Sequence, residues 1–250
     1  MRLKNKVAIV TGGSRDIGRS VSVKLAKEGA KVVINYLSNE ANAEETLRQV
    51  KEAGGEGIIV KGDVSKAADV AKLVEATRAA FGEEIHILAN VAGGLVARKT
   101  TLEIDEEFFD HIMDINLKSV FLSVKAVIPF MPSGGSIINF SSLAGRDGGG
   151  PGASIYATSK GAVMTYTRAL AKELGPKNIR VNAVAPGMIA TTFHDTFTKP
   201  EARVNVANAT SLKREGTADE VADLVIYLAS DEASFLNGNN IDINGGLSFS

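Results

Sequence analysis

The chain has 250 residues, 44% hydrophobic and 23% charged, enough for a sizeable core in one large α/β domain or two small ones. A formal net charge of -1 gives no global attraction to nucleic acid or an anionic membrane surface, and 0 cysteines exclude disulfides and thiolate chemistry. The opening "MRLKNKVAIVTGG" has no signal-peptide core and no apolar run approaches membrane-span length, so a cytoplasmic protein is expected. Seven apolar runs then read as strands, at 7–12, 31–36, 57–63, 87–93, 136–142, 180–187 and 240–246. Several are continuous and β-branched, the pattern of strands covered on both faces in a parallel sheet. Helical patterns fall between them, near 17–29, 40–53, 66–81, 103–130, 155–174 and 217–230. On the first, Val21, Leu25 and Ala26 share a face, and Gly29 is a natural stop. This alternation implies right-handed crossovers in a single α/β domain: a doubly wound, seven-stranded parallel sheet with helices on both faces. Residues 188–216 break the rhythm, and an insertion beyond the carboxyl ends of strands is expected to be a lid over a ligand crevice.

The first strand runs into "TGGSRDIG", residues 11–18, a glycine-rich turn that aims backbone N–H groups and a helix N-terminus at phosphate. Gly12 lets the chain turn, and Gly18 lets helix and strand approach. Asp16 is out of place beside phosphate. Aspartate enters left-handed backbone more readily than most residues. Its carboxylate is therefore expected to point outward, to cap the helix near Ile17, or to pair with Arg15 or Arg19. A dinucleotide site for NAD usually carries an acidic residue at the end of the second strand, about 20 residues past the loop. Here the positions read Asn35, Tyr36, Leu37 and Ser38, while Arg15 is available for a 2′-phosphate. NADP(H) is the expected cofactor, with NAD(H) possible.

"YATSK" puts Tyr156 and Lys160 four residues apart on one helix face. A phenol titrates near pH ~10, and a neighbouring ammonium lowers it toward use as a general acid or base. "INFSS" ends a strand at Ser141 and Ser142, where a hydroxyl can bond a substrate oxygen. Asn116, in "MDINLKS", interrupts a helical pattern and can anchor a water that relays protons to Lys160.

These pieces resemble the classical short-chain dehydrogenases/reductases over nearly the whole chain. In family order they are "TGGSRDIG", Asp63–Val64, "NVAG" at 90–93, Asn116, Ser142, Tyr156 with Lys160, and "PGMIAT" at 186–191. The resemblance implies a Rossmann fold and an NADPH-dependent oxidoreductase that reduces a carbonyl to an alcohol. It implies Tyr156 as the acid, Lys160 on the nicotinamide ribose, Ser142 on the carbonyl, and Asn116 holding the relay water. Ser142 is chosen over Ser141 because "SLAG" matches the family's Ser-x-x-Gly spacing. The turn residues Gly12, Ser14, Arg15, Ile17 and Gly18, with Asn35, Tyr36 and Ser38, would bind the cofactor. Asp63 and Val64 would contact adenine. Asn90, Ala92 and Gly93 would line the trough, and Pro186, Gly187, Ile189 and Thr191 would hold carboxamide and pyrophosphate. Val91 and the glycine-rich "RDGGGPG" before Tyr156 depart from the pattern without removing a reacting group. The family usually forms homotetramers through two long helices, here 103–130 and 155–174.

His86, His111 and His194 show no metal-ligand spacing, so no metal is expected. His86 and His111 read as packing or surface residues, and the acidic run 103–110 as a solvated helix start. His194, in the lid, and Arg146, after Ser142, are the substrate candidates. A cation there suits a hydroxylated acid better than a fatty-acyl chain. The small-molecule substrate is thus expected to be a polar keto-sugar or keto-uronate, a 4-deoxy-uronate among them. The alternative is a 3-oxoacyl-ACP reductase. A non-catalytic NADP sensor is a third reading, disfavoured because all four catalytic positions are intact.

Overall fold

The computed structural model describes residues 1–249. Its strands are β1 (Val7–Thr11), β2 (Lys31–Tyr36), β3 (Glu56–Lys61), β4 (Ile87–Asn90), β5 (Ser136–Phe140), β6 (Arg180–Pro186) and β7 (Asn240–Ile243). All pair in parallel in one sheet of order β3-β2-β1-β4-β5-β6-β7. The helices are α1 (Asp16–Lys27), α2 (Glu40–Glu52), α3 (Ala67–Phe81), α4 (Glu106–Met113), α5 (Ser119–Val127), α6 (Ala144–Asp147), α7 (Ser154–Leu174), α8 (Thr192–Phe197), α9 (Pro200–Ala209) and α10 (Ala218–Ala229).

Every residue of β1 and β5 is buried, because the sheet is covered on both faces. Side chains alternate between two apolar layers. Ala8, Val10 and Ile138 join the layer that Val21, Leu25, Val50 and Val225 bring from α1, α2 and α10. Ile9 and Ile137 join the other, with Val70, Val124 and Val163 from α3, α5 and α7. The strand order reverses between β1 and β4, which opens a crevice at their carboxyl ends.

Two expectations change in detail. The pattern over 103–130 predicts one helix, but the chain starts at Glu106 and passes through a π-helical stretch, Asp114–Lys118, between α4 and α5. Asn116 sits in that stretch. Residues 188–216 form α8 and α9, and a bridge between Ile189 and Gly216 pins the two ends of the segment together. Among the described residues, no helix is long and apolar enough to cross a membrane, and no cluster of acidic or histidine side chains could hold a metal ion.

Candidate active site

The glycine turn joins β1 to α1 at the crevice. A Cβ on Gly18 would lie 2.1 Å from the Gly12 carbonyl oxygen, so only glycine lets α1 start this close to the strand. Asn35 supports the turn from beneath. Its Oδ1 accepts from Gly12 N at 3.3 Å, its carbonyl accepts from Gly13 N at 2.9 Å, and its Nδ2 donates to Gly62 O at 3.0 Å. Asn35, expected among the cofactor-binding residues, is a buried clamp with its polar atoms engaged by the protein. Ser14 contributes its carbonyl to Arg19 and Thr46, at 3.0 and 2.9 Å. The Asp63 carboxylate accepts from Ser65 N and Oγ at 2.9 and 2.7 Å, and Val64 is buried beside it. Ser38 is exposed beyond β2. Tyr36 is buried, and burial, with Glu40 beside it, pushes its phenol up.

Asp16 stands in left-handed backbone, φ 49°, at the first position of α1, so the readiness expected of aspartate is used. Its side chain does not cap that helix. It crosses to α8, accepting from Thr192 N at 3.1 Å and from Thr192 Oγ1 at 2.5 Å. Arg15 donates to the same hydroxyl at 3.0 Å, with its Nε 3.7 Å from Asp16. The out-of-place carboxylate ties the glycine turn to segment 188–216.

Ser142 and Tyr156 come together at the carboxyl end of β5. The Tyr156 phenol hydrogen-bonds the Ser142 side chain, whose Oγ also accepts from Ala144 N at 3.2 Å. Ser141 faces elsewhere: it is buried and donates to Lys160 O at 2.8 Å. Lys160 is buried one helical turn from Tyr156, with Nζ 5.9 Å from the phenol ring centre and 2.8 Å from Phe140 O. Desolvation lowers its ammonium to about 8. The spacing predicts a phenol lowered by Lys160. Instead burial pushes Tyr156 up, opposed by the bond to Ser142.

Asn116 is fully buried and grips the irregular segment that follows β4. Its Oδ1 accepts from Gly94 N at 3.0 Å, and its Nδ2 donates to Gly94 O at 2.9 Å and Ile112 O at 3.0 Å. A Cβ on Gly93 would lie 2.6 Å from Asn116 Oδ1 and 3.1 Å from Lys160 Nζ, so these groups meet at one point. Asn90 turns into the sheet, donating to Asn139 Oδ1 at 2.9 Å. Ala92 N donates to Thr11 Oγ1 at 3.2 Å, which joins the ends of β1 and β4.

Pro186 ends β6, and beyond it Gly187 N donates to Ile243 O at 3.0 Å. Ile17 packs on the core, Ile189 is buried, and Thr191 Oγ1 donates to Ile189 O at 3.1 Å. Arg146, an expected substrate residue, is engaged by β7. Its Nε bonds Asp242 Oδ1 and its Nη2 bonds Asn240 O, both at 2.6 Å, so it braces β7. His194 Nδ1 bonds Thr198 Oγ1 at 2.9 Å, and burial first, then Arg203, pushes its imidazole down. The aromatic that lies against Tyr156 is its neighbour Phe193, with ring centres 6.0 Å apart. Helical phase separates the two, and the only signal in the sequence was an apolar ring inside a polar "TTFHDTF".

The residues fit a nicotinamide dinucleotide. The glycine turn lies at the switch point of the sheet, the carboxylate within the turn, Asp16, is turned onto Thr192, and exposed Gly93 leads toward the Lys160 ammonium. A family model described as Enoyl-(Acyl carrier protein) reductase matches residues 12–248. The chain belongs to the classical short-chain dehydrogenase/reductase family, oxidoreductases that work with a nicotinamide cofactor. It is 38% identical to an uncharacterized oxidoreductase of Methylorubrum extorquens, over 98% of this chain and 99% of the other. It is 35% identical to the 3-oxoacyl-[acyl-carrier-protein] reductase FabG of Staphylococcus epidermidis, over 97% and 99%. Among solved structures it is similar to a Burkholderia cenocepacia short chain dehydrogenase in complex with NADP, with 30% identity, TM-score 0.92 and 99% of each chain covered. It is also similar to the NADH-dependent reductase A1-R′ responsible for alginate metabolism, with 33% identity, TM-score 0.91 and 99% of each chain covered.

Proposed function

We propose that the protein is an NADPH-dependent reductase of small polar ketones or aldehydes, with keto-uronates of the 4-deoxy class as its substrates. The observation that carries the chemistry is the Tyr156–Ser142 hydroxyl contact with the buried Lys160 ammonium one turn away. The cofactor supplies hydride when bound. Ser142 donates to the carbonyl oxygen and orients it. Tyr156 delivers the proton as charge develops there. Lys160 binds the nicotinamide ribose, and the relay through Asn116 restores the proton. Gly12, Ile17, Gly18 and Thr191 hold the phosphates, and Arg15 takes the 2′-phosphate. Segment 188–216 is the lid, closing Phe193 over the reacting carbonyl and keeping water out.

The similarity to a reductase of alginate metabolism supports the uronate class, since alginate is a polymer of uronates. The similarity to FabG supports a second reading, reduction of a 3-oxoacyl thioester. A screen of NADPH and NADH oxidation against keto-uronates, keto-sugars and acyl thioesters separates them. The uronate reading expects the highest kcat/KM on keto-uronates, and a dominant thioester activity overturns it. Arg15→Ala is expected to weaken NADPH about ten-fold or more, and NADH little. Equal losses would overturn the cofactor preference.

A further inference from the structure

Between the glycine loop that precedes Tyr156 and segment 188–216 lies an arginine that none of the steps above uses. After Gly94 the chain folds Leu95 into the interior and makes a three-residue turn, with Ala97 N donating to Leu95 O at 2.7 Å. The middle residue is Val96, exposed and at φ 64°. Left-handed backbone is a genuine outlier for a β-branched residue, and such strain gathers where function constrains the chain. The turn delivers Arg98 onto the glycine-rich loop that precedes Tyr156. Lys99 N donates to Gly152 O at 3.1 Å, and a Cβ on Gly152 would lie 2.9 Å from Arg98 Cβ. This accounts for "GGGPG", which the catalytic machinery does not: the loop is stripped of side chains where Arg98 lies on it.

The guanidinium spans two segments. Nη1 donates to Pro151 O at 2.8 Å, and Nε donates to Phe197 O, in the lid, at 2.9 Å. Pro151 lies shortly before Tyr156 in the chain. Phe197 is one helical turn past Phe193, and their ring centres are 5.1 Å apart. Both partners are neutral carbonyls. Among the described residues Arg98 has no carboxylate partner, and its Nη2 has no hydrogen bond. The adjacent cations differ. Lys99 pairs with Asp105 at 3.8 Å, Arg146 with Asp242, and Arg203 with Asp195 and Glu215. Arg98 therefore keeps an uncompensated charge and a free N–H edge where the lid meets the wall of the site.

We infer that Arg98 is the specificity residue that binds the carboxylate of an acidic substrate, clasping the lid to the glycine loop as it does so. The inference rests on the proposed uronate class. It assigns to Arg98 the part that the sequence assigned to Arg146. A carboxylate on Nη2 and Nη1 would make a charge-assisted fork, a contact that a neutral sugar cannot supply.

The test uses the NADP⁺-loaded protein and two unreactive probes, D-glucuronate and D-glucose, with binding read by ligand-observed NMR. Glucuronate is expected to bind the wild type more tightly than glucose, in a salt-sensitive way. Arg98→Gln keeps donors for Pro151 O and Phe197 O but removes the charge. It is expected to weaken glucuronate about ten- to a hundred-fold, to leave glucose and NADPH within about three-fold, and to place the loss of uronate reduction in KM rather than kcat. Arg98→Lys is expected to recover part of the loss. Equal binding of the two probes by the wild type, or equal losses of both in Arg98→Gln, would overturn the assignment and leave Arg98 a structural clasp. Failure of the wild type to reduce any keto-uronate would overturn the proposed substrate instead, and glucuronate binding then decides Arg98 separately.

Discussion

At the scale of single residues, the proton-handling groups govern what can be measured. Tyr156→Phe deletes the proposed acid and leaves the glycine turn as it is. Turnover is expected to fall about a hundred-fold or more with NADPH binding kept, checked by steady-state kinetics and a fluorescence titration. Near-normal turnover would sink the mechanism. Lys160 titrates at about 8, below the ordinary 10.5, because burial disfavours its charge. Two consequences follow with definite signs. In reduction, kcat/KM of the free enzyme is expected to fall as pH rises through about 8, because the ammonium is lost. In stability, the unfolded chain binds the extra proton between about 8 and 10.5, so burial of Lys160 destabilises most below pH about 8 and least above 10.5. Lys160→Met is therefore expected to raise the unfolding free energy at pH 7 by roughly 1–3 kcal/mol, a gain that shrinks across that window. Urea melts at several pH values check it, and a gain that grows with pH would contradict it.

At the scale of elements, the link between α1 and α8 couples the glycine turn to segment 188–216, the proposed lid. Asp16 adopts a left-handed φ of 49°, a strain of about 1–2 kcal/mol in ordinary residues. Its bonds to Thr192 N and Oγ1 offset that strain. Asp16→Gly removes both terms, so global stability is expected to change by less than about 1 kcal/mol. Amide exchange over 192–209 is expected to quicken about ten-fold, with NADPH affinity changed less than ten-fold. Much tighter NADPH binding with unchanged exchange would make Asp16 a repulsive brake on the cofactor. The π-helical stretch between α4 and α5 is the other element that a regular helix would not supply. It puts Asn116 on the backbone of Gly94 from inside the helix layer.

At the scale of the whole molecule, α5 and α7 present an apolar surface around Leu117, Phe121, Tyr166 and Ala169, with Phe121 44% exposed. We propose that this face joins subunits of a homotetramer. Phe121→Glu is expected to yield smaller particles by light scattering and a lower Tm, and an unchanged mass would remove the face from the assembly. The architecture and the residues of the proposed quartet were legible in the sequence, for a physical reason. Strand burial, glycine turns, and side chains one helical turn apart are short-range facts written in residue type and spacing. What the sequence could not settle depends on contacts between segments far apart in the chain. Asp242 draws Arg146 away, Thr192 draws Asp16 across to α8, and the bare glycine loop receives Arg98. By itself the sequence determined the sheet architecture, the oxidoreductase family and the residue types proposed to move the proton. Only the tertiary structure decided which cations are already neutralised, because a charge's partner is chosen by distance in space.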